Sequence, residues 1–160
     1  MLTCKKILCP TDLSEPSFVA LDAAVTMARQ FNAALTIVHV ITPVPVAPDW
    51  AVIGSFDVRA YEQELRSKME STLRQVAAQH VPPEIPTHTL VTVGEAAHEI
   101  VNVAEREQSD LVVIATHGRT GWRHLVFGSV TEKVARHVPC PVLIVHCPMK
   151  HAASSAPAAR

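Results

Sequence analysis

Apolar positions along the chain fall into two alternating kinds of segment. Short β-branched runs of four to seven residues alternate with longer stretches in which apolar residues recur every three or four positions, the signature of a βαβ series and a mostly parallel sheet. Ile7 to Pro10 reads as a first strand ending in Pro10-Thr11-Asp12. Ser14 then stands where it can cap a helix with Glu15 and Pro16 in its first turn, and Phe18, Leu21, Val25 and Ala28 give that helix one buried stripe. Leu35 to Ile41 (LTIVHVI) predicts a second, fully buried strand. Thr42 to Asp57 carries Pro43, Pro45, Pro48 and Gly54 and predicts an irregular connection. Tyr61, Leu65, Met69, Leu73 and Val76 mark a long amphipathic helix whose other face, with Glu62, Glu64, Arg66, Lys68 and Glu70, is solvated.

Pro82, Pro83 and Pro86 interrupt the chain before a third strand, Thr87 to Val93, of mixed burial ending at Gly94. Ala97, Ile100, Val101 and Ala104 form the next helical stripe. Residues 111 to 114 (LVVI) are the most continuously apolar strand; Val130, Val134 and Val138 suggest a fourth helix, and Pro141 to His146 (PVLIVH) a fifth strand. The order β-α-β-α-β-α-β-α-β predicts an α/β fold, a doubly wound five-stranded parallel sheet with right-handed crossovers and helices on both faces. Residues 1 to 147 are expected to form one domain, and the Ala-, Ser- and Pro-rich tail from Pro148 to Arg160 to be disordered, because it has too little apolar surface to offset its ordering entropy.

Composition sharpens this picture. Apolar residues make up 48% of the 160 while aromatics are 4%, so the core is aliphatic, as suits a parallel sheet covered by helices. The net charge of -1 provides no excess of positive charge for a nucleic-acid backbone or an anionic membrane surface, so neither is expected as a partner. No apolar run approaches the ~18 residues of a membrane span, and Met1 to Lys6 leads directly into a strand without the apolar stretch of a signal peptide. A cytoplasmic protein is expected. Cys4, Cys9, Cys140 and Cys147 include no CxxC pair and read as free thiols. His137, Cys140, His146 and Cys147 lack a recognised zinc spacing, so no metal site is assigned.

The run from Ala115 to Ser129 (ATHGRTGWRHLVFGS) carries the most chemistry. It follows the central strand and opens a helix at Ser129. Glycines admit a phosphate close to the backbone, a helix N-terminus offers unpaired N–H groups, Ser129 adds a hydroxyl, and Arg119 and Arg123 are available to neutralise charge. On these features alone, a tight turn with a good cap stands beside phosphate binding. There is no GxxxxGK[ST] and no GxGxxG after the first strand, which disfavours P-loop hydrolases and Rossmann dehydrogenases.

The spacing Ala115, two residues, Gly118, nine residues, Gly128-Ser129 resembles the loop of ATP-binding universal stress proteins, which have glycine in place of Ala115. The resemblance extends to Lys6 to Ser14 (KILCPTDLS), to His39-Val40, and to Gly128 to Val145 (GSVTEKVARHVPCPVLIV). It implies strand order 3-2-1-4-5 in a Rossmann-like sheet of the adenine nucleotide alpha hydrolase-like kind, and ATP as ligand, with or without Mg2+. Under it, Pro10, Thr11 and Asp12 lie on the sugar and adenine side and the Val40 backbone recognises adenine. Ala115, Thr116, His117, Gly118, Arg119, Gly121, Gly128, Ser129 and Val130 form the phosphate loop. It also implies a homodimer through the strand Pro141 to His146. Ala115 is the departure: were positive φ or close backbone approach needed there, alanine would weaken binding.

Other readings of single residues stand beside these. Asp12 is also placed to cap the turn that follows it. His117 as a general base with Ser129 as nucleophile lacks an acidic partner at any motif spacing, and Trp122 and Phe127 read as packing or partner residues. No base or acidic metal cluster supports rapid turnover, so no catalytic residue is assigned. The expected role is regulatory, in a stress response; a slow ATP hydrolase and a dimeric scaffold without a nucleotide are the alternatives.

Overall fold

The five β-branched runs become strands because each is too short for a helix and apolar enough to be covered on two faces. The computed structural model describes residues 4–43, 58–116 and 128–146. Its elements are β1 (Lys6–Pro10), α1 (Glu15–Phe31), β2 (Ala34–Ile41), α2 (Val58–His80), β3 (Thr87–Val93), α3 (Ala96–Arg106), β4 (Leu111–Ala115), α4 (Ser129–His137) and β5 (Val142–Val145). The strands form one parallel sheet in the order β3-β2-β1-β4-β5, as the resemblance implies. Most of the connection predicted over Thr42 to Asp57 and all of the tail from Pro148 lie outside the described residues.

Alternation along the strands divides the core in two. Ile7, Cys9, Leu35, Ile37 and Val113 face α1 and α2, where they meet Leu21, Ala24, Val25, Leu73 and Val76. Leu8, Val38, Val112 and Ile114 face the other way, against Ala97, Ile100, Val103 and Ala104 of α3 and Val134 of α4. Strand β1 lies between β2 and β4 and is buried on both sides. Asp110 ties down its amino end, its Oδ2 accepting the backbone N–H of Lys5 at 2.7 Å and of Lys6 at 2.9 Å.

The structure departs from the sequence expectations where periodicity meets a helix end or an open strand end. Only Leu35, Ile37 and Val38 of β2 are buried; from His39 onward the strand is half-buried, because the sheet opens at its carboxyl end. Tyr61 is 52% exposed, so the buried stripe of α2 starts at the half-buried Leu65 rather than at its first turn. In α3 the inward residue is Val103, with Val101 half-buried, and in α4 Val138 is the half-buried C-cap. Ser14 occupies the N-cap of α1 without accepting a cap bond through its side chain; its hydroxyl donates back to Asp12.

Burial, and after it the charge of Asp22, pushes the Cys9 thiol up to about 12. The neutral thiol is therefore favoured in the folded chain. Its contribution is fully present below the unfolded thiol value of ~9, and is lost as pH rises from there through about 12, at ~1.4 kcal/mol per pH unit. Urea unfolding between pH 8 and 10.5 should show a steeper loss of stability for the native chain than for Cys9→Ala.

Candidate functional site

A cleft of about 250 Å³ opens at the carboxyl ends of β1 and β4, where strand order reverses. Chains leaving these two strands turn to opposite faces of the sheet, one to α1 and the other to α4, and the gap between them is where open α/β sheets take ligands. Its volume is near the lower end of the ~300–1,000 Å³ typical of small-molecule sites. Its floor is aliphatic: Val38 and Val40 of β2, Ile114 of β4 and Ile100 of α3.

Pro10, Thr11 and Asp12 form the wall beside β1, and Ala115, Thr116, Gly128, Ser129 and Val130 the wall beside β4 and α4. The sequence-predicted residues within the described chain thus come together around one opening. His117, Gly118, Arg119 and Gly121, with the neighbouring Trp122, Arg123 and Phe127, lie outside the described residues. Ser17, Ala96, Ile100 and Thr131 also line the cleft and escape sequence reading, because each occupies an ordinary position near a helix start or on a helix stripe. Only the tertiary fold brings those helix ends to the same place.

The turn after β1 is held by a dense set of hydrogen bonds. Thr11 N–H donates to the Val38 carbonyl at 2.9 Å, and Nδ1 of His39 lies 2.9 Å from the Thr11 carbonyl. Leu13 N–H donates to Thr11 Oγ1 at 3.0 Å. The Ser17 hydroxyl donates to the Ser14 carbonyl at 2.8 Å, so its single proton is used there and Thr11 Oγ1 donates in the 2.8 Å contact between the two hydroxyls. These bonds support Leu13 at φ 63°, a left-handed conformation a leucine seldom adopts. Asp12 Oδ1 accepts Ser14 N–H at 3.0 Å and the Ser14 hydroxyl, closing an Asx turn. One carboxylate oxygen therefore has the local role open to Asp12 from sequence. Asp12 is nonetheless exposed and on the cleft wall, and its other oxygen remains for a ligand.

On the opposite wall, the backbone makes the close approaches. Thr116 N–H donates to the Val145 carbonyl at 3.0 Å, ending the β4–β5 ladder, and Gly128 N–H donates back to the Thr116 carbonyl at 3.2 Å. A Cβ on Gly128 would stand 3.2 Å from that carbonyl oxygen, which explains glycine here by proximity; its φ is -55° and needs no special freedom. Gly128 is the N-cap of α4 and has no side chain to occupy the helix's first N–H groups. Thr131 Oγ1 donates to the Ala115 carbonyl at 2.8 Å and fixes α4 against the end of β4. Ala115 itself is the last residue of β4, in register with Val145, and is not among the residues with positive φ. Of the two requirements that would make alanine costly here, positive φ is absent. Among the described residues, no group of three or more His, Cys, Asp or Glu gathers to hold a metal ion.

Comparison with protein families matches residues 3–146 to the universal stress protein family. The chain is 32% identical over 151 residues to universal stress protein MJ0531 of Methanocaldococcus jannaschii, covering 91% of this chain and 84% of that protein. Among solved structures, MJ0577 superposes with a TM-score of 0.72 at 27% identity, covering 92% of this chain and 99% of that one. A universal stress protein in complex with cAMP superposes with a TM-score of 0.65 at 25% identity, covering 90% and 98%.

The Thr131 contact can be tested directly. Thr131→Val should lower stability by ~1–2 kcal/mol in urea unfolding by removing the donor to the part-buried Ala115 carbonyl, whereas Thr131→Ser should cost less.

Proposed function

The chain belongs to the universal stress protein family, and from that premise we propose that its cleft binds an adenine nucleotide, ATP, in a regulatory role in the stress response. The observation that carries this reading is the meeting, at one topological switch point, of an aliphatic floor, the Asp12 carboxylate and the uncapped N-terminus of α4. The floor suits a purine. A free carboxylate oxygen accepts ribose hydroxyls, and a helix N-terminus without a capping side chain suits phosphate. The universal stress protein solved in complex with cAMP supports an adenine nucleotide as the ligand. By the family resemblance, His117, Gly118, Arg119 and Gly121, which lie outside the described residues, are assigned to the phosphate side together with Thr116, Gly128, Ser129 and Val130. Mg2+ would arrive with the nucleotide's phosphates, because the described walls supply only Asp12 as a carboxylate ligand.

Binding without rapid turnover follows from the same inventory. Asp12 already holds an Asx turn and no second carboxylate or histidine lines the described cleft to activate water. Steady phosphate release abolished by Asp12→Ala would instead establish the hydrolase. A homodimer is part of the proposal: β5 is an edge strand whose four residues are all half-buried, and pairing with a second copy would satisfy its free backbone edge.

Titration calorimetry should show saturable ATP binding below millimolar concentration, and a flat isotherm to that limit would refute the assignment. Asp12→Asn keeps the oxygen that closes the turn but replaces the free oxygen by a donor. It should weaken binding about tenfold, the loss of one charge-assisted hydrogen bond, with stability changed by less than ~0.5 kcal/mol. Light scattering should return a dimer mass, and Val142→Pro in the edge strand should return a monomer.

A further inference from the structure

In a parallel sheet the N–H and C=O of one residue point to the same neighbouring strand, and successive residues point to opposite neighbours. In β2 the odd residues face β3: Leu35 N–H donates to the Pro86 carbonyl at 2.9 Å, and the Ile41 carbonyl accepts Gly94 N–H at 3.0 Å. The even residues face β1, as the Ala34 N–H to Lys5 carbonyl bond at 2.8 Å and the Thr11 N–H to Val38 carbonyl bond at 2.9 Å show. Val40 therefore directs both its N–H and its C=O toward the strand occupied by β1.

Regular continuation of the ladder would give Val40 N–H to the Thr11 carbonyl and Leu13 N–H to the Val40 carbonyl. Neither bond forms. The Thr11 carbonyl lies 2.9 Å from His39 Nδ1, and because a carbonyl only accepts, that nitrogen carries the proton and donates. Leu13 N–H donates instead to Thr11 Oγ1 at 3.0 Å. Both groups on the β1 side that would have closed over Val40 are thus directed to other partners.

His39 performs its part from behind. It lies next to Val40 in β2, so its side chain projects from the opposite face of the sheet, the α1/α2 side that Ile37 shares, whereas Val38 and Val40 pack on the α3/α4 side with the cleft. Cleft and imidazole reach the same turn from different faces.

We propose that His39 is a positioning residue: by donating to the Thr11 carbonyl it ends the β1–β2 ladder one rung early and keeps the Val40 N–H unpaired for the ligand, while Thr11 Oγ1, by accepting Leu13 N–H, leaves the Val40 C=O open beside it. A donor and an acceptor on one residue match the ring nitrogen and exocyclic amine of a purine such as adenine, and this identification of the ligand rests on the function proposed above. The interruption of the ladder does not. A backbone pair reads the base edge whatever side chain stands at position 40, but only while the neighbouring strand leaves it open.

Amide hydrogen exchange by NMR on the nucleotide-free protein tests the device by itself. In the native chain Val40 N–H should exchange at least about tenfold faster than the ladder-bonded Val38 N–H, as expected for an amide without a protein acceptor. In His39→Leu, which cannot donate, Thr11 is released to pair with Val40, and Val40 exchange should slow about tenfold toward that of Val38. His39→Ala, measured alongside, decides the same point if the leucine variant does not fold. His39→Asn, whose amide nitrogen takes the place of Nδ1, should restore fast exchange. In parallel, AMP affinity should fall about tenfold in His39→Leu and recover to within about threefold of native in His39→Asn, a rescue that loss of packing alone would not give. Protected Val40 in the native chain, or exchange unchanged in both the leucine and alanine variants, would overturn the proposal. The expected exchange pattern without any AMP binding would uphold the positioning role and refute the nucleotide assignment.

Discussion

Strand β1 is buried on both faces, and the position of every cleft residue follows from where that burial stops. Ile7 and Cys9 pack toward α1 and α2, Leu8 toward α3 and α4, and Asp110 fixes the amino end of the strand by accepting the backbone N–H groups of Lys5, just before it, and Lys6. Covered in this way, β1 has no freedom to slide against β2 or β4. Its carboxyl end, where the apolar run gives way to Thr11 and Asp12, is then a defined point in space. Because α1 and α4 pack on opposite faces of the sheet, no helix among the described residues covers that point.

The two walls of the opening are made differently. Beside β1, side chains shape the backbone: Thr11, Ser17, Asp12 and His39 spend their polar atoms on a turn that includes a left-handed leucine. Such a conformation persists only where surrounding contacts outweigh its cost of ~1–3 kcal/mol, and such places are often functional. Beside β4, backbone meets backbone: Gly128 returns to within 3.2 Å of the Thr116 carbonyl, and Thr131 ties the helix to Ala115. A turn rigid on one side and a bare helix N-terminus on the other suit a ligand with a flat apolar end and an anionic end.

Much of this was legible in the sequence. The alternation of β-branched runs and helical stripes predicts the element order, and Asp12, Gly128 and Ser129 stand out by residue type at an element boundary. Legibility failed where a residue's role depends on a partner far away in the chain. Ser14 reads as a cap, yet its hydroxyl is taken by Asp12 in the folded turn. Whether Ala115 needs positive φ is not legible in the sequence; in the sheet it is a strand residue in register with Val145. Thr131 does not stand out in the sequence, yet it is buried with its hydroxyl on the Ala115 carbonyl.

What the sequence determined by itself is periodic and local: which segments bury two faces, which bury one, and where glycine, proline and short polar residues end them. Those properties depend on near neighbours along the chain and on the exclusion of apolar surface from water, so they survive without coordinates. The tertiary structure alone decided which backbone groups are left over. Whether Val40 N–H completes a ladder or faces a cleft turns on the direction of Thr11, twenty-nine positions earlier, and on one imidazole reaching that carbonyl from the far side of the sheet. Hydrogen bonds are directional and short, and a shift of one rung that no residue pattern records is enough to open or close the site.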